Sequence, residues 1–147
     1  MMQTREYLNQ ISRLNRMINN KLVEIQQLRE MACNVTAIQN DERVKTSPDP
    51  DRMGVTFSKI DEMEKELDRM IDGYVEKKNV IISQIDSMDD ENEKEILLER
   101  YINFQTISYI AQKIGITVRG CQKKHKKALE NFDKKYNMVY KTLTVHT

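Results

Sequence analysis

Arg119, Gln122, Lys123, Lys126 and Lys127 are the residues of this chain whose types and spacing most directly suggest chemistry. At steps of three and four they share one face of a helix. A guanidinium can pair with both acceptors on a guanine edge, and a primary amide with the donor and acceptor of adenine. Ammonium groups further along the same face suit phosphates. Cys121, His125, Ala128 and Phe132 fall on the opposite face and suit packing. The chemistry implied is recognition of double-stranded DNA, with no covalent step.

Covalent and metal chemistry lack the residues they need. There is no Gly-rich phosphate loop, and His125 and His146 are too few and too scattered for a metal site. Cys33 and Cys121 have neither metal nor redox spacing and read as reduced thiols. His125, on a core face, reads as a neutral, hydrogen-bonded packing residue. The carboxylates between Asp61 and Glu99 alternate with apolar positions and read as a solvated helix face. No catalytic residue, metal, cofactor or small-molecule substrate is expected.

The elements that would hold the basic face follow from local signals. Ile96, Leu97, Tyr101 and Ile102 recur at helical spacing, and the polar joint Asn103-Phe104-Gln105 interrupts them. Thr106 can cap a second helix carrying Ile107, Ile110, Ala111 and Ile114. Gly115 closes that helix as a residue free to take positive φ. Thr117 caps the third helix, and small Ala111 allows close approach at the turn. Thr106, at the start of the second helix, and Thr117 join the five basic-face residues as candidate DNA contacts.

The rest of the chain is long and amphipathic. Four Gly and two Pro in 147 residues favour long helices over many turns. Leu8, Ile11, Leu14, Ile18, Leu22, Ile25 and Leu28 form a narrow apolar stripe from Thr4 to about Ala32. A second stripe from Thr56 to about Met88 carries Ile60, Met63, Leu67, Tyr74, Ile81 and Ile85, with Gly73 in its middle. The stretch between them holds both prolines and predicts a long loop at 33–55, with room for a short helical turn around Val35 to Gln39. Two such helices would lie antiparallel as a coiled-coil-like hairpin. Their seams ask for a partner, so Leu8, Ile11, Ile18, Leu22, Ile25, Ile60, Met63, Leu67, Tyr74, Ile81 and Ile85 are candidate oligomerisation residues in a homodimer.

Charge is uneven under a net +1. Lys113, Arg119, Lys123, Lys124, Lys126, Lys127, Lys134 and Lys135 face only Glu130 and Asp133 in their stretch, whereas Asp61 to Glu99 is acidic. A basic end of this kind is the usual electrostatic footprint of a nucleic-acid contact. No apolar run approaches the ~20 residues of a spanning helix, and no secretory leader is apparent. A protein of the bacterial cytoplasm, with no membrane contact, is expected.

The order ERYIN, TISYIAQKIGIT, ALENF resembles region four of bacterial sigma factors. With REYLNQISRLNRMINNKLVEIQQLREMA, VKTSPDPDRMG and KIDEMEKELDRMID before it, most of the chain resembles a family of small phage and prophage proteins of Gram-positive bacteria. The resemblance implies a sigma-region-four-like C-terminal domain and a role like that of phage activators of late transcription. It implies that Thr117, Arg119, Gln122, Lys123 and Lys126 face DNA. The sequence departs from the common sigma pattern at His125, where an apolar residue is usual.

The expected fold is therefore all-α: a long antiparallel helical hairpin at 1–90, a helix–turn–helix domain at 91–140 and a frayed tail at 141–147. The expected function is a sequence-specific DNA-binding regulator, with a hairpin that dimerises or contacts RNA polymerase. Two alternatives stay open. One is a structural or packaging protein such as a small terminase subunit, and the other a module that binds only protein.

Overall fold

The computed structural model describes the backbone of residues 2–41 and 50–145, and side chains within 3–33 and 54–137. Those residues form α1 (Met2–Asp41), α2 (Pro50–Asp86), α3 (Glu91–Leu97), α4 (Ile107–Ile114) and α5 (Val118–Val145). A π-helical turn, Leu98–Ile102, continues α3. The fold is all-α, as expected, with no strand among the described residues.

Both long helices exceed their expected limits. Residues 33–41, assigned to the loop from sequence, continue α1. They contain neither Gly nor Pro, so nothing local stops the helix. Pro50 opens α2, where its missing N–H has no intrahelical partner to lose. The expected loop at 33–55 is corrected to at most the interval between these helices, and residues 42–49 lie outside the described residues. Likewise, α5 continues through the stretch expected to fray, as far as Val145.

The contacts divide the chain into two compact units, and not at residue 90. One is Met1–Leu14 with Tyr74–Thr147, and the other is Asn15–Gly73. The larger unit has two apolar clusters. In the first, Tyr7, Leu8 and Ile11 of α1 and Ile81, Ile85 and Met88 near the end of α2 pack with Leu97, Tyr101, Ile102, Ala128, Leu129 and Phe132. Burying side chains of this size contributes roughly 1.5–3 kcal/mol each, which is why the ends of both long helices belong with α3–α5. Thr4 donates to Asp133 at 2.9 Å and Tyr7 to Gln84 at 2.6 Å, fixing that arrangement. The second cluster joins Ile96, Ile110, Ala111 and Cys121, with Ile107, Ile114 and Ile116 against it.

These clusters correct part of the oligomerisation set. Leu8, Ile11, Ile81 and Ile85 are buried in the core of a single chain, with Tyr74 packed against it, so they present no seam to a partner. In the smaller unit Ile18, Ile25, Ile60, Met63 and Leu67 are buried as well, whereas Leu22 is 46% exposed. Lys21 pairs with Glu66 at 3.1 Å, and Arg29 pairs with Glu64.

Candidate nucleic-acid interface

The site is built on three short-range decisions. The first ends α3. Asp90 caps its start, accepting from the Glu93 N–H at 3.1 Å. Its far end widens into the π-turn, where the Asn103 N–H reaches the Leu98 carbonyl at 3.0 Å and the Gln105 N–H the Glu99 carbonyl at 2.9 Å. The second starts α4: the Thr106 hydroxyl accepts from the Tyr109 N–H at 3.2 Å. The third turns the chain between α4 and α5. Gly115 takes φ 84°, and its N–H and that of Ile116 both meet the Ala111 carbonyl at 2.9 Å. Thr117 then caps α5, its hydroxyl accepting from the Gly120 N–H at 3.0 Å.

With α5 set this way, its two faces separate. Cys121, Ala128 and Phe132 are buried, and His125 is half-buried. Leu129, absent from the sequence-derived core face, is also fully buried. It lies at the margin of that face, where the first cluster covers it. On the other side Arg119, Gln122, Lys123, Lys126 and Lys127 are exposed, as are both caps, Thr106 and Thr117. The structure therefore brings the predicted DNA-contacting residues of α5 onto one solvent-facing row, with Thr117 at its start. Val118 is a further candidate that charge-based reading passed over. It is 44% exposed in the first turn, and an apolar side chain there can meet a thymine methyl.

Not every cation of the basic stretch is available. Lys113 is held by Glu99 at 2.8 Å and Glu95 at 3.7 Å. The bond to Lys113 pulls the Glu99 carboxyl below its ordinary range, and that to Glu99 raises the Lys113 ammonium. Lys135 donates to the Ser87 carbonyl at 2.6 Å. In contrast, Arg119, Lys123, Lys124, Lys126, Lys127 and Lys134 enter no ion pair among the described residues.

The buried side of α5 carries little reactivity. Burial pushes the Cys121 thiol up, away from the thiolate. Nε2 of His125 lies 2.8 Å from the Tyr101 hydroxyl. Its pKa is lowered to about 4, chiefly by burial and then by the charges of Arg5 and Arg100. The imidazole is neutral at physiological pH and packs where an apolar residue would serve. Among the described residues no cluster of His, Cys, Asp and Glu could hold a metal ion, and no helix is long and apolar enough to cross a membrane. Comparison of the chain with protein-family models, with curated proteins and with solved structures finds no match.

Proposed function

We propose that this chain is a sequence-specific, double-stranded DNA-binding regulator of transcription, of phage or prophage type, acting in the bacterial cytoplasm. In this reading α4, the Gly115–Thr117 turn and α5 work as a helix–turn–helix of the sigma-region-four kind. One observation carries it: Arg119, Gln122, Lys123 and Lys126 form an exposed row, uncommitted to any carboxylate, on a helix whose other side is packed into the core. The major groove admits a helix, and the first turns of a recognition helix reach base edges there. Arg119 and Gln122 read bases, and Lys123, Lys126 and Lys127 neutralise phosphates. The unit Asn15–Gly73 supplies dimerisation or a contact to RNA polymerase.

The test is selection of bound duplexes from a random pool, followed by binding of the selected site at fixed salt. A recovered motif that outcompetes random DNA at least tenfold is the expected result, with binding to selected and random duplexes alike weakened in Lys123→Glu/Lys126→Glu. No enrichment and no duplex binding, with RNA polymerase still captured, would replace this reading with the protein-only module. Assembly into a large ring of subunits would favour packaging.

A further inference from the structure

Beside the buried face of α5, within the larger unit, lies an open cavity of about 340 Å³ lined mainly by hydrogen-bond donors. Arg5, Asn9 and Ser12 reach it from α1, Arg100 from the π-turn, Phe104 from the joint and His125 from α5. No carboxylate lines it, and neither Arg5 nor Arg100 enters an ion pair among the described residues. Arg100 is held in place, donating from Nη1 to the Gln105 carbonyl at 3.0 Å. Between Arg100 and Gln105, Phe104 has φ 59°, the one described non-Gly residue with positive φ, and its ring is 42% exposed. This left-handed residue closes the helix end, where the Gln105 N–H meets the Glu99 carbonyl at 2.9 Å, and it sets the ring on the cavity wall.

We propose that this cavity binds phosphate, held between Arg5 and Arg100 with Asn9 and Ser12 as neutral donors. Guanidinium forks match a tetrahedral oxyanion from more than one side. A carboxylate offers two oxygens in one plane, whereas a tetrahedral phosphate can present oxygens to both forks. The field that a phosphate would neutralise is already felt at the cavity wall, where both guanidiniums oppose protonation of His125. The groups facing His125 are Tyr101 and Arg100 from the π-turn and Arg5 from α1, none of them an acid. The phosphate is either that of a small molecule or that of a nucleic-acid backbone. The site does not depend on the reading of α5, because its residues are not those of the Arg119 row.

The test follows the His125 ring by NMR in the full chain as pH falls, with chloride replaced by sulfate or inorganic phosphate at constant ionic strength. A bound anion offsets the guanidiniums, so the pKa of His125 should rise by about one unit. Arg5→Gln and Arg100→Gln should each raise that pKa without anion and abolish the further rise. Ser12→Asp, which places a carboxylate in the cavity, should do the same, and helical circular dichroism reports whether each variant is folded. At neutral pH a second comparison separates the sources. Shifts of the His125 ring with inorganic phosphate or a nucleoside monophosphate assign a small molecule. Shifts with random duplex alone, weakened severalfold by Arg5→Gln on every sequence, assign the backbone. If sulfate, phosphate, nucleotide and duplex all leave His125 unmoved, or if the shifts persist in both arginine variants, the proposal is overturned.

Discussion

The Tyr101 hydroxyl meets Nε2 of His125 at 2.8 Å, and the two rings stack with centroids 5.7 Å apart. This pair ties the π-turn to α5 through a neutral imidazole, and it gives the fold a pH dependence. The folded pKa of about 4 lies below the ordinary 6.5. Between those values the unfolded chain binds a proton that the folded chain does not. Stability is therefore complete above about 6.5 and falls as pH drops toward 4. Because the ring is only half-buried, the expected loss is ~1–2 kcal/mol after solvent screening. Urea unfolding from pH 7 downward should show a shallower decline in His125→Gln than in the native chain. Parallel declines would exclude His125 as the source.

A second polar link joins α3 to α5. The Asn131 amide nitrogen lies 2.9 and 3.0 Å from the two carboxylate oxygens of Glu93, which is buried. Removing the amide leaves a buried carboxylate short of a donor. Asn131→Ala should cost ~1–3 kcal/mol, and Glu93→Gln/Asn131→Ala less than the sum of the two single changes. Additive losses in a denaturation cycle would show that the pair does not couple.

Local signals explain how much of this was legible. Thr106, Gly115 and Thr117 were readable because caps act within one turn of their own position. The basic row on α5 was readable because helical spacing alone sets its direction. The association of Tyr7, Leu8 and Ile11 with Phe132 was not. Periodicity shows that a face is apolar, but not which surface covers it, and here the cover lies more than a hundred residues away. The π-turn was hidden for a related reason, since Tyr101 and Ile102 keep near-helical spacing through it. The Arg5–Arg100 cavity was invisible because its walls come from three separate segments.

Two glycines should respond in opposite ways to alanine. Gly73 lies inside α2, and an added Cβ meets nothing within 4 Å. It marks no close helix contact, so Gly73→Ala should stabilise by ~0.5–1 kcal/mol through lower unfolded-chain entropy. Gly115 also has open space, but its φ of 84° is unfavourable to a side chain. Gly115→Ala should destabilise by ~1–2 kcal/mol. Thermal midpoints measured together would check both signs.

Assembly is the next expectation. The unit Asn15–Gly73 buries Ile18, Ile25, Ile60, Met63 and Leu67 internally, yet Leu22, Val23 and Met31 on α1 remain 46%, 53% and 62% exposed. A two-helix layer has little capacity to cover them alone. A homodimer through this unit should appear by sedimentation equilibrium at roughly tens of micromolar, and Leu22→Lys should weaken it. A monomer throughout that range would remove dimerisation from the proposed function.

Arg119 and Lys126 separate two kinds of DNA contact on one helix. Arg119 stands in the first turn of α5, beside exposed Val118 and one turn before Gln122, where base edges are reached. Lys126 lies about two turns further along the same exposed row, where phosphate is the nearer target. Arg119→Ala should lose ~1–3 kcal/mol on the selected site and relax preference at one base position. Lys126→Ala should weaken selected and random DNA about equally and lower the salt slope by about one unit. Both need titration over the same salt range. An unchanged ratio of selected to random binding in Arg119→Ala would show that Arg119 reads no base. Unchanged binding in both variants would move the DNA contact away from α5, and the exposed row would then face a protein.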